Sequence, residues 1–186
     1  MTPARSAAVW NLPNLLALSR LLMAPLMLWL LAYRDSTPLS GIHESWLDYF
    51  AALTFVLASV TDFFDGYIAR QCDQMTQLGK IIDPLADKML TLAAFLGLML
   101  LGRADAFAIY LILTREFFIT GLRVAIAEEG KDVAASWTGK VKTVVQMVAI
   151  GFLTMNWPGG SALLWLAVAI TLYSGYEYVR DYVRGQ

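Results

Sequence analysis

The chain has 186 residues, of which 58% are hydrophobic and 16% charged, with a formal net charge of −1 and a mean hydropathy of +0.57. Soluble domains run nearer about 45–50% apolar and 25% charged, so the balance points to an integral membrane protein, and nothing in the net charge attracts nucleic acid. The single cysteine, Cys72, excludes an internal disulfide and a thiolate metal cluster.

At roughly 20 residues per span, the length suits one all-α membrane domain over residues 1–186 with six spans. Residues 1–12, with Arg5 and Trp10, read as a short interfacial arm. Span one is expected at Leu15–Tyr33, with Pro25 as a kink, which membrane helices tolerate. It is too long for a signal-peptide core and no small-residue cleavage pattern follows it. Asn11 and Asn14, just before it, suit either a helix cap or a polar contact to a ligand.

A polar loop, Arg34–Asp48, leads to span two at Phe50–Arg70, and a short link, Gln71–Lys80, to span three at Ile81–Leu101. Gly102–Asp105 is a tight turn before span four, Ala106–Ala127; the loop Glu128–Trp137 precedes span five, Gly139–Met155. Asn156–Gly160 is a strong turn signal, and span six follows at Ala162–Tyr178. On this map Arg5, Arg70, Lys80, Lys88, Arg123, Lys131, Lys140, Lys142, Arg180 and Arg184 gather at one side, with Arg34 and Arg103 at the other. The excess of cations in cytoplasmic segments then sets both termini, and the segment around residues 62–87, at the cytoplasmic face. Trp10, Trp46, Trp137 and Trp157, with Tyr173, Tyr176, Tyr178 and Tyr182, fall near span ends and read as interfacial anchors. His43, in the outer loop, is given no catalytic part, and Glu177 reads as a partner of Arg180 or of lysines.

Against this apolar background stand four carboxylates. Asp62 and Asp65 are three apart near the end of span two; Asp83 and Asp87 are four apart near the start of span three. Each spacing puts both members on one helix face, and the short link lets the two faces meet. Carboxylates this close to hydrocarbon are costly and are functional candidates by default. Converging, they repel unless divalent cations lie between them, and oxygen-only donors favour Mg²⁺, Mn²⁺ or Ca²⁺. Four suffice for two ions roughly 4 Å apart, the arrangement that serves phosphoryl chemistry. Gly66 and Ala69 extend the stripe of Asp62 and Asp65 and leave a hollow where a flat base or a diphosphate can approach the backbone. Arg70 is suited to bidentate contact with phosphate, and Gly79 opens the next helix nearby.

The whole motif is Asp62-x2-Asp65-Gly66-x2-Ala69-Arg70-x8-Gly79-x3-Asp83-x3-Asp87. It resembles the signature of the CDP-alcohol phosphatidyltransferase family at every fixed position. The resemblance implies a membrane enzyme, typically a homodimer, that transfers a phosphatidyl group from CDP-diacylglycerol to an alcohol and releases CMP. It implies two divalent cations, Mg or Mn, held by Asp62, Asp65, Asp83 and Asp87. Asp87 would serve as ligand or general base; Asp62, Asp65, Gly66, Ala69, Arg70 and Gly79 would line the CDP site.

A second cationic cluster bears on the acceptor. Arg115 and Arg123 lie two turns apart in span four, and Lys140 and Lys142 open span five. Their anionic partner can be Glu116, the aspartates, membrane-lipid headgroups or the phosphate of a soluble acceptor. The stretches Asn11–Arg20, Asp83–Lys88, Arg115–Arg123 and Gly139–Met147 are similar to a bacterial branch of the family. That branch implies sn-glycerol 3-phosphate as the acceptor. Inositol phosphate, serine or phosphatidylglycerol are alternatives within the family, and a divalent-cation transporter is the alternative outside it.

Overall fold

The structure, a computed structural model, describes residues 12–34, 39, 41–72, 77–128 and 137–184; within the helices, the side chains of 12–17, 62–72, 77–84, 87 and 127–128 are outside that description. The expected interfacial arm, residues 1–12, lies almost wholly outside it. The regular structure among the described residues is entirely helical: α1 (Leu12–Ala32), α2 (Glu44–Cys72), α3 (Gln77–Leu100), α4 (Ala106–Glu128), α5 (Trp137–Thr154) and α6 (Gly160–Arg184). Each expected span falls on one helix. The largest overruns are at α2, which starts at Glu44 rather than Phe50, at α6, which reaches Arg184 rather than Tyr178, and at α3, which starts at Gln77 rather than Ile81. Among the described residues one helix, α6, is long and apolar enough to cross a membrane, and Leu18–Ala32 and Lys88–Leu100 are shorter apolar helical stretches.

The chain divides into two compact units, Met1–Leu100 and Leu101–Gln186. In the first, α1 packs along α3 and against α2, and α2 touches α3. The seam is made of small and flexible apolar residues: Ala24, Met27 and Leu31 of α1, Ala86, Leu90, Ala93, Ala94 and Leu98 of α3, all buried. Small residues let helix backbones approach closely. Gly97 shows how close: a Cβ there would sit 2.7 Å from Leu31 Cβ. The far end of α1 is tied to the start of α2 by the ion pair of Arg34 with Asp48. The His43 ring accepts from the Ser45 N–H at 3.3 Å, a local role at the start of α2.

In the second unit α6 packs on α5 and α4. Asp105 caps α4, its carboxylate accepting from the Ala108 N–H at 2.9 Å. The α5–α6 turn is built as the sequence leads one to expect. Asn156 takes a left-handed φ of 53°, the Asn156 N–H bonds to Leu153 O and the Trp157 N–H to Phe152 O. This is a Schellman end with asparagine at the left-handed position. The next orphan carbonyl, Thr154 O, accepts from Arg103 Nη1 at 2.7 Å. Gly159 turns the chain with φ 90°, and Gly160 lets α6 start against Leu153, whose Cδ2 lies 2.9 Å from where a Cβ would be.

Candidate active site

The acidic motif divides between two helices of the first unit. Asp62, Asp65, Gly66, Ala69 and Arg70 lie in the last three turns of α2; Gly79, Asp83 and Asp87 lie in the first three turns of α3, after the link 73–76. Their backbone is helical throughout, so the spacings of three and four keep each aspartate pair on one face. The side chains of Asp62, Asp65, Gly66, Ala69, Arg70, Gly79, Asp83 and Asp87 lie outside the described residues. Among the described residues no group of three or more His, Cys, Asp or Glu side chains gathers. The chemistry of the donor set suits a hard divalent cation, since it is made of carboxylates alone. Ser59, one turn before Asp62 on α2, adds a hydroxyl oxygen that is buried and makes no hydrogen bond. A buried polar atom left so is costly and fits a polar occupant at this end of α2.

The basic residues belong to the second unit, and the geometry separates them. Arg115 and Lys142 meet on one carboxylate, Glu116: Arg115 Nη1 lies 3.3 Å from Oε1, and Lys142 Nζ bonds the same oxygen. The side chains of both cations are 10% exposed. Arg115 Nη2 donates to Ser174 Oγ of α6 at 3.0 Å, while its Nε is buried without a hydrogen-bond partner. Room for this guanidinium comes from Gly175, where a Cβ would stand 3.1 Å from both Cγ and Nε of Arg115. Two cations share one acid here, and one donor of the rigid guanidinium fork is still unused. The arrangement can receive one more anionic oxygen.

Arg123 and Lys140 are placed differently. Arg123 is exposed and its guanidinium sits 5.3 Å from the centre of the Tyr178 ring, a cation–π contact. Lys140 is exposed. The four cations expected as one set therefore form a buried pair, Arg115 and Lys142, and two outer residues.

Helix α6, from which the sequence yielded no information about the acceptor, supplies Ser174 and Gly175 to the buried pair. Its Tyr178 is 4% exposed and packs with Ile119 and Ile126, so it is a core residue under Arg123 and not an interfacial anchor. Glu177 accepts from the Thr138 hydroxyl, which joins α6 to the start of α5. The signal for these roles was a Ser-Gly pair inside an aromatic run, small residues where another side chain comes close. Tyr173 and Tyr176 are 57% and 64% exposed, and Trp46, Trp137 and Trp157 are exposed too, as anchors are. One charged residue drew no attention in the sequence: Arg20, mid-way along the apolar α1, is 1% exposed.

Comparison with known proteins follows the same lines. The family model for CDP-alcohol phosphatidyltransferase matches residues 10–173. The chain is 39% identical over 181 residues to the CDP-diacylglycerol–glycerol-3-phosphate 3-phosphatidyltransferase of Bacillus subtilis (strain 168), covering 91% of this chain and 94% of that protein. It is 37% identical over 181 residues to the Escherichia coli (strain K12) protein of the same name, covering 91% and 93%. Against a probable phosphatidylglycerophosphate synthase of Mycobacterium tuberculosis (strain ATCC 25618 / H37Rv) it is 40% identical over 186 residues, covering 97% and 86%.

Proposed function

The chain belongs to the CDP-alcohol phosphatidyltransferase family, and we propose that it moves a phosphatidyl group from CDP-diacylglycerol to sn-glycerol 3-phosphate. The products are phosphatidylglycerol phosphate and CMP, a step toward phosphatidylglycerol. The observation that carries this reading is the near-full-length similarity to bacterial enzymes named for that reaction.

The enzyme works in a bacterial cytoplasmic membrane through six spans, both termini on the cytoplasmic side, as a homodimer. The exposed faces support the embedding: Leu22, Leu26 and Trp29 of α1, Leu53, Val56 and Val60 of α2, Phe107, Tyr110 and Phe118 of α4, and Trp165 and Leu172 of α6 are all open. Soluble monomers rarely expose apolar surface on this scale; lipid is its natural solvent.

Asp62, Asp65, Asp83 and Asp87 hold two divalent cations, Mg or Mn, and Gly66, Ala69, Arg70 and Gly79 line the space for the cytidine diphosphate. The bound cations would offset the charge of the diphosphate and of the departing CMP. Arg70 adds a bidentate contact to phosphate oxygens. Asp87 takes the proton of the acceptor hydroxyl. The freed oxygen bonds to the lipid-side phosphorus while the bond from that phosphorus to the bridging oxygen breaks, and CMP leaves with that oxygen. Arg115 and Lys142, with Arg123 and Lys140 outside them, bind the phosphate of the acceptor; the unused Nε of Arg115 supports this assignment.

The test is CMP release from CDP-diacylglycerol in detergent with Mg²⁺, supplying glycerol 3-phosphate, inositol phosphate, serine and phosphatidylglycerol separately. Release with glycerol 3-phosphate alone, abolished by EDTA, is expected. Release with another acceptor overturns the reading of the basic residues, and release that survives EDTA overturns the metal assignment.

A further inference from the structure

Among the described residues, the buried seam between α1 and α3 contains one charge, Arg20, and the register of the two helices says which part of α3 stands level with it. Arg34, just past α1, pairs with Asp48 near the start of α2, so α1 and α2 run antiparallel. The four-residue link 73–76 joins the end of α2 to the start of α3, so α2 and α3 are antiparallel as well. Helices α1 and α3 therefore run parallel where they pack. The contact of Leu31 with Gly97 fixes their register. Setting Leu31 level with Gly97 sets Met27 level with Ala93, Ala24 with Leu90, and Arg20 with Ala86. All eight of these residues are buried. The steps of four, three and four on both helices are those of one continuous helix–helix seam.

Ala86 lies between Asp83 and Asp87. A guanidinium keeps its charge under all ordinary conditions, and a charge buried in an apolar seam requires an anionic partner. The acids of the unit whose side chains are described are Glu44, which is exposed, and Asp48, which takes Arg34. Both stand at the Arg34 end of α1, about 21 Å from Arg20 at 1.5 Å per residue. The acids in register with Arg20 are Asp83 and Asp87 on α3 and Asp62 on α2, which the pairing of Arg34 with Asp48 sets level with it; the stripe that carries Arg20, through Ala24, Met27 and Leu31, packs along α3 and selects the first two.

We propose that Arg20 is a fixed counter-cation of Asp83 and Asp87: it neutralises the acidic pair of α3 when no metal is bound and sets the strength with which that pair holds a divalent cation. It is a positioning residue, which acts through the aspartates and not on the substrate. The inference rests on the carboxylate reading given above, but its first test does not depend on metal or turnover. A cation beside a carboxylate pair lowers the repulsion between its members and also competes with an incoming metal ion.

The test is a mutant cycle on the purified full-length protein in detergent with EDTA, read as thermal unfolding. Arg20→Met keeps length and apolar packing while removing the charge, and it is expected to lower Tm by about 5–10 °C. Adding Asp83→Asn and Asp87→Asn to Arg20→Met is expected to recover most of the loss. Additive effects overturn the proposal, as does a triple variant that stays unfolded if Arg20→Met alone fails to fold. The second reading is Mn²⁺ titration without substrates. Arg20→Met is expected to bind Mn²⁺ about tenfold more tightly, and Arg20→Lys to return toward the parent value. Unchanged Mn²⁺ affinity with a raised KM for CDP-diacylglycerol overturns the proposal and makes Arg20 a substrate contact. Absence of Mn²⁺ binding in the parent protein counts against the metal assignment alone and leaves the cycle to decide the role of Arg20.

Discussion

Asp87 and Lys142 show how far a single residue's role depends on what surrounds it. In the proposed reaction Asp87 is the base because an acceptor hydroxyl would stand beside it. Asp87→Asn keeps shape and hydrogen bonding but removes the basic oxygen. It should lower kcat about 10³-fold while CDP-diacylglycerol binding, measured by equilibrium dialysis, changes no more than about threefold. Full activity would remove Asp87 from the base role. Lys142 was legible in the sequence as a cation near a membrane, but its partner was only one of several candidates. The structure brings it to Glu116 beside Arg115. Lys142→Met leaves Arg115 and Glu116 as a pair and, on the proposed reading, weakens the binding of an anionic acceptor. The expected result is a KM for glycerol 3-phosphate raised about tenfold, with the KM for CDP-diacylglycerol within about twofold. Equal changes in both would argue against a phosphate site there.

At the scale of elements, the helix boundaries were readable because long apolar runs end in residues that have a reason to end them. Asn156 and Gly159 take the left-handed conformations of the α5–α6 turn, and both stand in the stretch that reads as a turn from composition alone. The cost of that geometry can be measured. Asn156→Ala puts a Cβ-bearing residue without a polar side chain at a φ of 53° and should lower stability by about 1 kcal/mol. Asn156→Gly should leave it unchanged or raise it slightly, with Tm in detergent as the readout. The role of α6 was not readable. Its Ser174 and Gly175 matter only because Arg115 of another helix comes against them, and no periodicity within α6 encodes that meeting. A methyl group at 175 must displace an arginine held at both ends, by Glu116 and by Ser174. Gly175→Ala should therefore raise the KM for glycerol 3-phosphate several-fold while Tm changes by only about 1–3 °C.

For the whole molecule, the helical class and the order of the six helices among the described residues were legible because an apolar composition with long uncharged runs favours helices that satisfy their own backbone. The buried position of Arg20 was not. In sequence it is one cation inside an apolar run, and only the packing of α1 on α3 turns it into a charge without water. The same distinction governs orientation. The bias of basic residues assigns sides from sequence, and the exposed apolar faces are consistent with spanning, but sidedness is a property of the protein in its membrane. It can be read with single cysteines introduced after Cys72 is replaced by serine. A cysteine at His43, in the α1–α2 connection, should react with a membrane-impermeant maleimide in spheroplasts. A cysteine at Arg184, the last residue of α6, should react only after the membrane is opened. Six spans with both ends inside require this pair of results together. Labelling of both sites in sealed cells would leave an even number of crossings between them and overturn the six-span reading. The reverse pair, Arg184 labelled in sealed cells and His43 protected, would move the aspartates of α2 and α3 away from the compartment that supplies glycerol 3-phosphate, so topology and proposed chemistry are tested by one experiment.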